Sequence, residues 1–528
     1  MTITFDPADP IETVGVELLH REVRGERETY VELRPEDLAP AVRALQADHG
    51  ARLINVVGLD ERALGRGFRA IFTLALANEK LVSLAACLAS EEPSYPAVSF
   101  DVHAADWYER ENFELLGICA LGHPEIGNRI LHNDWPRDLY PLRKDFPQDS
   151  PWPPRVGAME PPPRATGPGV FQYTVGPVRS GVMESARFVI SSLGEEIADV
   201  RTSFYWKHRG IEKLCEDRPL STVTLFAERI AANSAIAHSL AFALAVEAMT
   251  NAGVSTRAQR TRVILAEMER LYNHMHDLAS QADATGLTVG HAEGAILTEQ
   301  LRRLNAEITG HRYLFGSIVP GGVKIDLTER NQRRIAEHMR EFRHAFRVYI
   351  DALMTSTSHL DRLEQTGIVA PDVAHDHSLV GPVGRASGVD VDVRRDHPYA
   401  AYRGISFEVP VLARGDALAR NQVRIAEVYQ SISIIEQALA DLPSGALRTP
   451  IEPLPPYAET QAYVEGPRGG IVHWLKANAQ GELYRYRIRP ASFVNWHVFH
   501  LATAAANILT DFPIIESSFA LVLASNDR

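Results

Sequence analysis

The residues best suited to chemistry lie in one stretch, Glu228–Glu247, which reads ERIAANSAIAHSLAFALAVE. Alanine and leucine dominate it and neither Gly nor Pro interrupts it, so composition predicts one continuous helix. On such a helix Ala231, Ser234 and His238 recur at spacings of three and four and share a face, with Arg229 just ahead of them. A guanidinium, a hydroxyl and an imidazole grouped this way can anchor a ligand or relay protons. The face would be a good place to hold a metal, but it carries no thiolate.

Other candidates are weaker. His274 and His276 stand two apart on a predicted helix, point to different faces and cannot chelate together. His375-Asp376-His377 is expected in a surface loop with no third ligand in view. Cys87, Cys119 and Cys215 are scattered and form no CxxC pair. That argues against a disulfide framework, and against an iron–sulfur or structural zinc site built from this chain alone. Neither a P-loop nor a GxGxxG after a strand occurs, so no direct nucleotide site is expected.

The elements that must position these residues belong to a long chain. Its 528 residues exceed one hydrophobic core and suit two or three domains. A formal net charge of -13 would repel phosphates and argues against a general nucleic-acid binder. No apolar run approaches the roughly 20 residues that span a bilayer, and the N-terminus lacks signal-peptide character. A soluble cytoplasmic protein is expected, with any membrane association through partners.

Residues 1–147 read as an α+β domain, with a helix from Pro35 to His49 and a half-buried strand around Leu53–Val57. By themselves Glu109, Arg110, Glu111 and Glu114 read as a solvated helix face. Residues 148–169 contain seven prolines and predict an extended linker. From 170 to 528 the pattern is mainly helical with small β elements. Two strands come first, helices follow over 291–313, 327–365 and 415–441, and a mixed α/β tail comes after a proline-rich break at 443–456.

Two sets of motifs carry a family resemblance. The run from Trp107 to Pro147 holds WYERE, Gly122-His123-Pro124, Arg129-Ile130-Leu131, Asp134-Trp135 and Pro141-Leu142-Arg143-Lys144-Asp145-Phe146-Pro147. It resembles the hydrophilic subunit of respiratory complex I that lies beside the quinone-site subunit. The larger module holds Gly176-Pro177, His208-Arg209-Gly210-Ile211-Glu212-Lys213, Arg257-Ala258-Gln259 with Arg262, Glu267 and Arg270, and Thr309-Gly310-His311-Arg312. Further on come Pro320-Gly321-Gly322-Val323, Arg385-Ala386-Ser387-Gly388, Asp392 with Arg394, Gly466-Pro467-Arg468-Gly469 and Arg487-Ile488-Arg489-Pro490. In this order they resemble the large subunit of energy-converting (group 4) nickel–iron hydrogenases and the homologous complex I quinone-site subunit. Both modules in one chain is the arrangement of formate hydrogenlyase-type subunits.

The resemblance implies a metal site that this sequence does not supply. In the hydrogenases, four cysteines in two CxxC pairs hold nickel and iron, and soft thiolates are what such a centre requires. The aligned positions here are Ala231, Ser234, Val522 and Ser525. A nickel–iron centre is therefore not expected, nor is any cofactor in this chain; an iron–sulfur cluster is expected in a partner subunit. The resemblance also implies that quinone would meet a histidine in the first strand turn and a tyrosine on the opening helix, but those positions are Arg179 and Ala232. Glu184 aligns with a glutamate that passes protons from the metal in hydrogenases. With Arg229, His238 and Asp511 it makes the candidate set for lining the metal-site cavity. A partner interface is expected at Trp107, Arg110, Trp135, Arg143, His208, Arg209 and Glu212.

The function so implied is a peripheral-arm subunit of a membrane-bound, complex I-like or hydrogenase-4-like oxidoreductase complex, without a nickel–iron centre and coupled to ion translocation. Its partners would be a small iron–sulfur-type subunit and membrane antiporter-like and anchor subunits, with quinone as a further ligand. It would lie on the cytoplasmic side of the cell membrane. The alternatives are a non-catalytic structural or conformational coupling subunit and, more weakly, a quinone-reducing subunit.

Overall fold

The computed structural model describes all residues except 1–9, 12–13, 26, 78, 128–129, 133–134, 137, 147–166, 181–182 and 505. The expected linker up to residue 166, and the motif residues Arg129, Asp134 and Pro147, lie outside the described residues. The chain divides into two compact units. The first comprises Met1–Arg164 with Ser203–Tyr205 and Asp376–Ser378, and the second comprises the remainder.

The first unit is built on a five-stranded sheet in the order His20–Arg24, Glu28–Leu33, Leu81–Leu88, Phe68–Ala75, Arg52–Asp60. Only the pairing of Glu28–Leu33 with Leu81–Leu88 is parallel. The helix expected from Pro35 forms as a short 3-10 turn followed by Leu38–His49, which ends on Gly50 in the left-handed conformation. The strand expected to be half-buried is instead buried at every residue from Leu53 to Asp60. A second helix, Asp106–Leu116, lies so close that a methyl group at Gly58 would come within 2.6 Å of the Asn112 and Leu116 side chains.

That helix overturns the solvated-face reading of its charges. Glu109, Arg110, Glu111 and Glu114 are all buried. Glu109 accepts the backbone N–H groups of Val98 and Ser99, and Glu114 accepts those of Ile130 and Leu131, both at 2.7 Å. These carboxylates anchor loops whose amides would otherwise lie unpaired. Glu114→Ala is expected to lower the stability of this unit by about 2 kcal/mol by stripping the buried Ile130 amide and the half-buried Leu131 amide of their acceptor. Limited proteolysis should then cut near Ile130 well before it cuts the wild type, whereas Glu36→Ala should leave the pattern unchanged.

The second unit is mainly helical. Its long helices are Thr256–Ala284, Thr288–Thr309, Glu329–Thr355 and Ala417–Ala440. They pack around one apolar core that includes Leu271, Met275, Leu301, Phe342, Phe346, Val428 and Ile432. Two antiparallel three-stranded sheets accompany them. One has the order Glu196–Ser203, Arg187–Leu193, Val170–Val175, and the other runs Glu459–Gly466, Gly469–Ala477, Leu483–Arg489. A sheet-bearing N-terminal region followed by a helical region with small sheets is thus observed. His375 and Asp376, expected in a loop, end a short helix, Pro371–Asp376.

The stretch Glu228–Glu247 is not one helix. Leu220–Glu228 ends at Glu228, Ala231 is extended with φ -151° and ψ 125°, and a 3-10 turn, Ala232–Ser234, leads into the helix Ala235–Thr250. Arg229 and Ala231 therefore precede the helix that carries His238. The segment Ala232–Thr250 also corrects the expectation of no span-like run, since its 19 residues are long and apolar enough to cross a membrane. In this fold 78% of its apolar window is buried, and Phe242, Ala245 and Val246 pack against Leu475, Tyr486 and Ile488 of the second sheet. It is a core helix.

Candidate functional site

The two segments that carry the ligand-equivalent positions are tied together by arginines. The Arg209 guanidinium donates to the carbonyls of Arg229 at 2.8 Å and Ile230 at 2.7 Å on one segment, and to that of Ala524 at 2.8 Å on the other. Arg468 makes a second tie. It donates to the Ala520 carbonyl at 2.6 Å and to Asn273 Oδ1 at 2.6 Å, while the Asn273 amide donates to the Asn233 carbonyl at 2.7 Å. Backbone carbonyls are thus held by fixed guanidinium forks, a geometry that a lysine would not reproduce.

The C-terminal segment is pinned further by the 207–212 run. The Lys207 N–H donates to Asp527 Oδ2 at 3.0 Å, His208 Nδ1 lies 2.6 Å from the Asp527 carbonyl, and the Arg209 N–H donates to the Arg528 carbonyl at 2.7 Å. Glu184 faces the same segment. Its carboxylate accepts the N–H groups of Leu523 at 2.5 Å and Ala524 at 3.1 Å, which open the short helix Leu523–Asp527. Arg179 does not pair with this carboxylate; it donates to the Glu184 carbonyl and forms an ion pair with Glu516 at 2.6 Å.

The ligand-equivalent residues Ala231, Ser234, Val522 and Ser525 are all buried. The Ser525 hydroxyl donates to the Val522 carbonyl at 2.9 Å, so it closes its own turn. Arg229 is exposed, not buried. Its guanidinium lies 5.4 Å from the Phe315 ring centroid and 3.5 Å from Glu228. Asp511 accepts the Ile508 N–H at 3.0 Å and caps a local 3-10 turn. Of the four candidates, Glu184 is hydrogen-bonded to the C-terminal ligand-equivalent segment and His238 lies four residues along the helix from Ser234, whereas Arg229 and Asp511 serve local contacts. Among the described residues, no group of three or more His, Cys, Asp or Glu is arranged to hold a metal ion.

Glu184→Ala should expose the first amides of Leu523–Asp527 and cost about 1 kcal/mol, as the loss of a helix N-cap does. Hydrogen exchange at Leu523 and Ala524 is expected to quicken about fivefold, the factor that about 1 kcal/mol corresponds to. Glu184→Gln, which keeps one acceptor oxygen, should show a smaller change.

His238 is fully buried, with Nδ1 3.0 Å from His473 Nε2, and His473 Nδ1 lies 2.7 Å from the Tyr486 hydroxyl. Burial pushes the His238 imidazole down to about 3, with Arg209 adding to the effect. Burial and the neighbouring His238 hold His473 well below its ordinary range. Sequence reasoning found His238 but missed its partners, which lie 235 residues or more away along the chain.

A buried ionic cluster lies elsewhere in this unit. Arg385 donates to Glu427 at 2.6 Å and to Glu465 at 2.9 Å. Arg394 pairs with Asp392 at 2.6 Å and Glu267 at 3.1 Å, and Arg270 pairs with Glu267 at 3.2 Å. Tyr402 and Ser431 each donate to Glu267 at 2.6 Å, and His274 Nε2 lies 2.7 Å from Glu427. The motifs that carry the resemblance thus include much of this internal scaffold.

Several residues expected at a partner surface are engaged inside the chain. Glu212 is 5% exposed and is surrounded by Arg485, Arg487 and Arg528. Trp107 is buried with its ring 6.0 Å from that of Phe204, and Arg110 donates to the Gly127 carbonyl at 3.1 Å. Trp135 Nε1 donates to the Leu139 carbonyl at 2.6 Å, and Arg143 donates to that of Leu116 at 2.7 Å while covering the Tyr140 ring. With His208 and Arg209 bound as above, all seven side chains have a role within this fold. His208 and Arg209 remain exposed while making these contacts.

Fold and motif order together define a fused, two-module chain, with a sheet-bearing N-terminal module ahead of a mainly helical one. Residues 31–151 match the respiratory-chain NADH dehydrogenase 30 Kd subunit, and residues 295–454 and 449–528 match the 49 Kd subunit. The chain belongs to this complex I 49 Kd subunit family, with a 30 Kd-type module fused ahead of it. It is 29% identical over 506 residues to formate hydrogenlyase subunit 5 of Escherichia coli K12, covering 93% of this chain and 87% of that protein. Hydrogenase-4 component G of the same organism is 28% identical over 496 residues, covering 93% and 86%. An NADH-quinone oxidoreductase subunit of Thermus thermophilus is 32% identical over 386 residues, covering 68% and 94%.

Proposed function

We propose that this chain is a peripheral-arm subunit of a membrane-bound, complex I-like or hydrogenase-4-like oxidoreductase complex, working without a nickel–iron centre and coupled to ion translocation. The observation that carries this reading is the donor set at the ligand-equivalent positions. Ala231 and Val522 offer no donor atom, Ser234 offers a hard neutral hydroxyl, and the Ser525 hydroxyl is bonded to its own turn. Soft thiolates are what such a centre needs, so these residues do not fit it. The partners are a small iron–sulfur-type subunit and antiporter-like and anchor subunits of the membrane, which hold the chain at the cytoplasmic side of the cell membrane. The names of the relatives, components of formate hydrogenlyase, hydrogenase-4 and NADH-quinone oxidoreductase, support an assembly of this kind.

A second reading, a non-catalytic coupling subunit, is favoured by the Arg209 and Arg468 ties, which lock both ligand-equivalent segments to carbonyls. A quinone-reducing role has less support, since Arg179 is paired with Glu516 and Ala232 offers no hydroxyl at the two positions where that chemistry is expected. The test is purification of the tagged chain from detergent-solubilised membranes. The expected result is co-purification with an iron–sulfur subunit and membrane subunits, with iron in stoichiometric amount and nickel absent. Recovery as a lone chain would sink the assembly, and stoichiometric nickel would sink the metal-free reading.

A further inference from the structure

The first N–H groups of a helix have no partner within it, and the residue at the N-cap commonly supplies an acceptor. The helix Ala235–Thr250 is capped differently. Among the described residues, Ser234 at its N-cap makes no side-chain bond to the first turn, and an extended Ala231 and a 3-10 turn lead into it. The acceptor comes from Glu269 on the neighbouring helix Thr256–Ala284. One carboxyl oxygen takes the Ile236 N–H at 2.7 Å and the other takes the Ala237 N–H at 3.0 Å, across 33 and 32 residues of sequence. One turn along, Asn273 donates to the Asn233 carbonyl at 2.7 Å. Side chains of one helix thus seat the start of the other.

Glu269 differs from the other carboxylates buried nearby. Glu267 faces Arg270 and Arg394, Glu427 faces Arg385, and Asp277 faces Arg468. Glu269 is 1% exposed and forms no ion pair among the described residues. Two cations bear on it, and both are committed elsewhere. Arg270 donates to Glu267 and to the carbonyls of Glu465 and Gly466. Arg468 donates to the Ala520 carbonyl, Asn273 and Asp277. The remaining titratable neighbours are Tyr272 on the same helix, on which Arg302 and Tyr313 also act, and His238 next to Ala237, a buried imidazole.

A carboxylate closed off from water without a counter-ion is costly, so the closed site favours the neutral acid. Burial pushes the Glu269 carboxyl up to about 8, against the pull of the Ile236 and Ala237 amides, Arg270 and Arg468. Opening would give the carboxylate and the freed amides to water. The closed form therefore binds the proton more tightly than the open one. Its advantage is complete below about 4.5 and is lost as pH rises towards about 8. The responsive part is short. The 29-residue helix Thr256–Ala284 runs through the apolar core, and the Arg229 and Ile230 carbonyls stay held by Arg209.

We propose that Glu269 is a proton-operated latch on the start of Ala235–Thr250. Neutral, it keeps residues 231–237 seated against Thr256–Ala284; ionised, it releases them to water. Ser234 lies in that stretch, so the latch makes one ligand-equivalent segment responsive to protons. The inference stands on the cap geometry and does not depend on the assembly reading. The test is amide hydrogen exchange of the full chain, in its purified complex or alone, corrected for the chemical rate at each pH. Between about pH 6 and about pH 7.5 the opening constant at Ile236 and Ala237 should rise about tenfold per pH unit. In Glu269→Gln, which cannot ionise, it should stay flat. Amides of Glu329–Thr355, such as those of Phe346 and Ile350, should show no such rise in the wild type. A flat opening constant at Ile236 and Ala237 in the wild type would overturn the latch, whether or not the variant folds. So would an equal rise in Glu329–Thr355, which would mean that the whole unit opens, or a rise that persists in Glu269→Gln.

Discussion

Glu212→Gln is expected to destabilise the helical unit by about 3–5 kcal/mol, the range seen when one partner of a buried ion pair is removed. The carboxylate faces Arg485 at 2.8 Å, Arg528 at 3.2 Å and Arg487 at 3.3 Å, and it also accepts the Ile488 N–H at 2.9 Å. Glutamine keeps the shape and loses the charge, leaving three buried guanidiniums to repel one another. Because Arg528 belongs to the segment that carries Val522 and Ser525, loosening should reach that segment too. Burial alone would raise the Glu212 carboxyl, but Arg485, Arg528 and Arg487 together hold it down at about 2.

The sign of the pH dependence follows from that depression. A carboxylate with a lower pKa in the folded than in the unfolded state adds stability above the unfolded value and loses it as pH falls through the folded value. The window here runs from about 4.5 down to about 2. Wild-type stability should therefore fall by about 3 kcal/mol more than that of Glu212→Gln across this window, at 1.36 kcal/mol per pKa unit. Denaturant midpoints of the helical unit at about pH 6 and about pH 2 provide the check. Equal slopes for the two proteins would show that the cluster does not hold the carboxylate ionised.

How far such clusters can be read in a sequence depends on where their partners lie. The helices from Leu38, Glu329 and Ala417 were legible because their apolar spacing is local. The order of motifs likewise gave the family, since it needs no contact. Helix breaking at Arg229–Ala231 was not legible, because alanine suits a helix whether or not tertiary contacts continue it. There the Arg209 guanidinium takes the Arg229 and Ile230 carbonyls, which draws the backbone away from helical bonding. Glu109 and Glu114 deceived for a related reason. A charge pattern alone presumes solvent, whereas residues 98–99 and 130–131 bring amides to these carboxylates. The same distance in sequence hid the pairing of His238 with His473.

Arg385→Met is expected to be the most disruptive single change in the ionic cluster, at the upper end of about 3–5 kcal/mol, and to leave little folded chain in cells. Arg385 is fully buried and serves Glu427, Glu465 and the Val391 carbonyl at once, with Asp392 at 3.5 Å. Methionine fills similar volume but strands several carboxylates in low dielectric. Arg385→Lys should not rescue it, since an ammonium is a point charge and cannot span the Glu427 and Glu465 carboxylates as the planar fork does. A partial rescue should come from Arg385→Met combined with Glu427→Gln. That pair removes opposite charges together, and a double-mutant cycle should report a coupling of about 1–3 kcal/mol. The check is soluble yield and thermal midpoint of the four proteins. If the double variant is no more stable than Arg385→Met, the arginine acts by packing alone, and the ion pair with Glu427 contributes nothing that neutralising the carboxylate can restore.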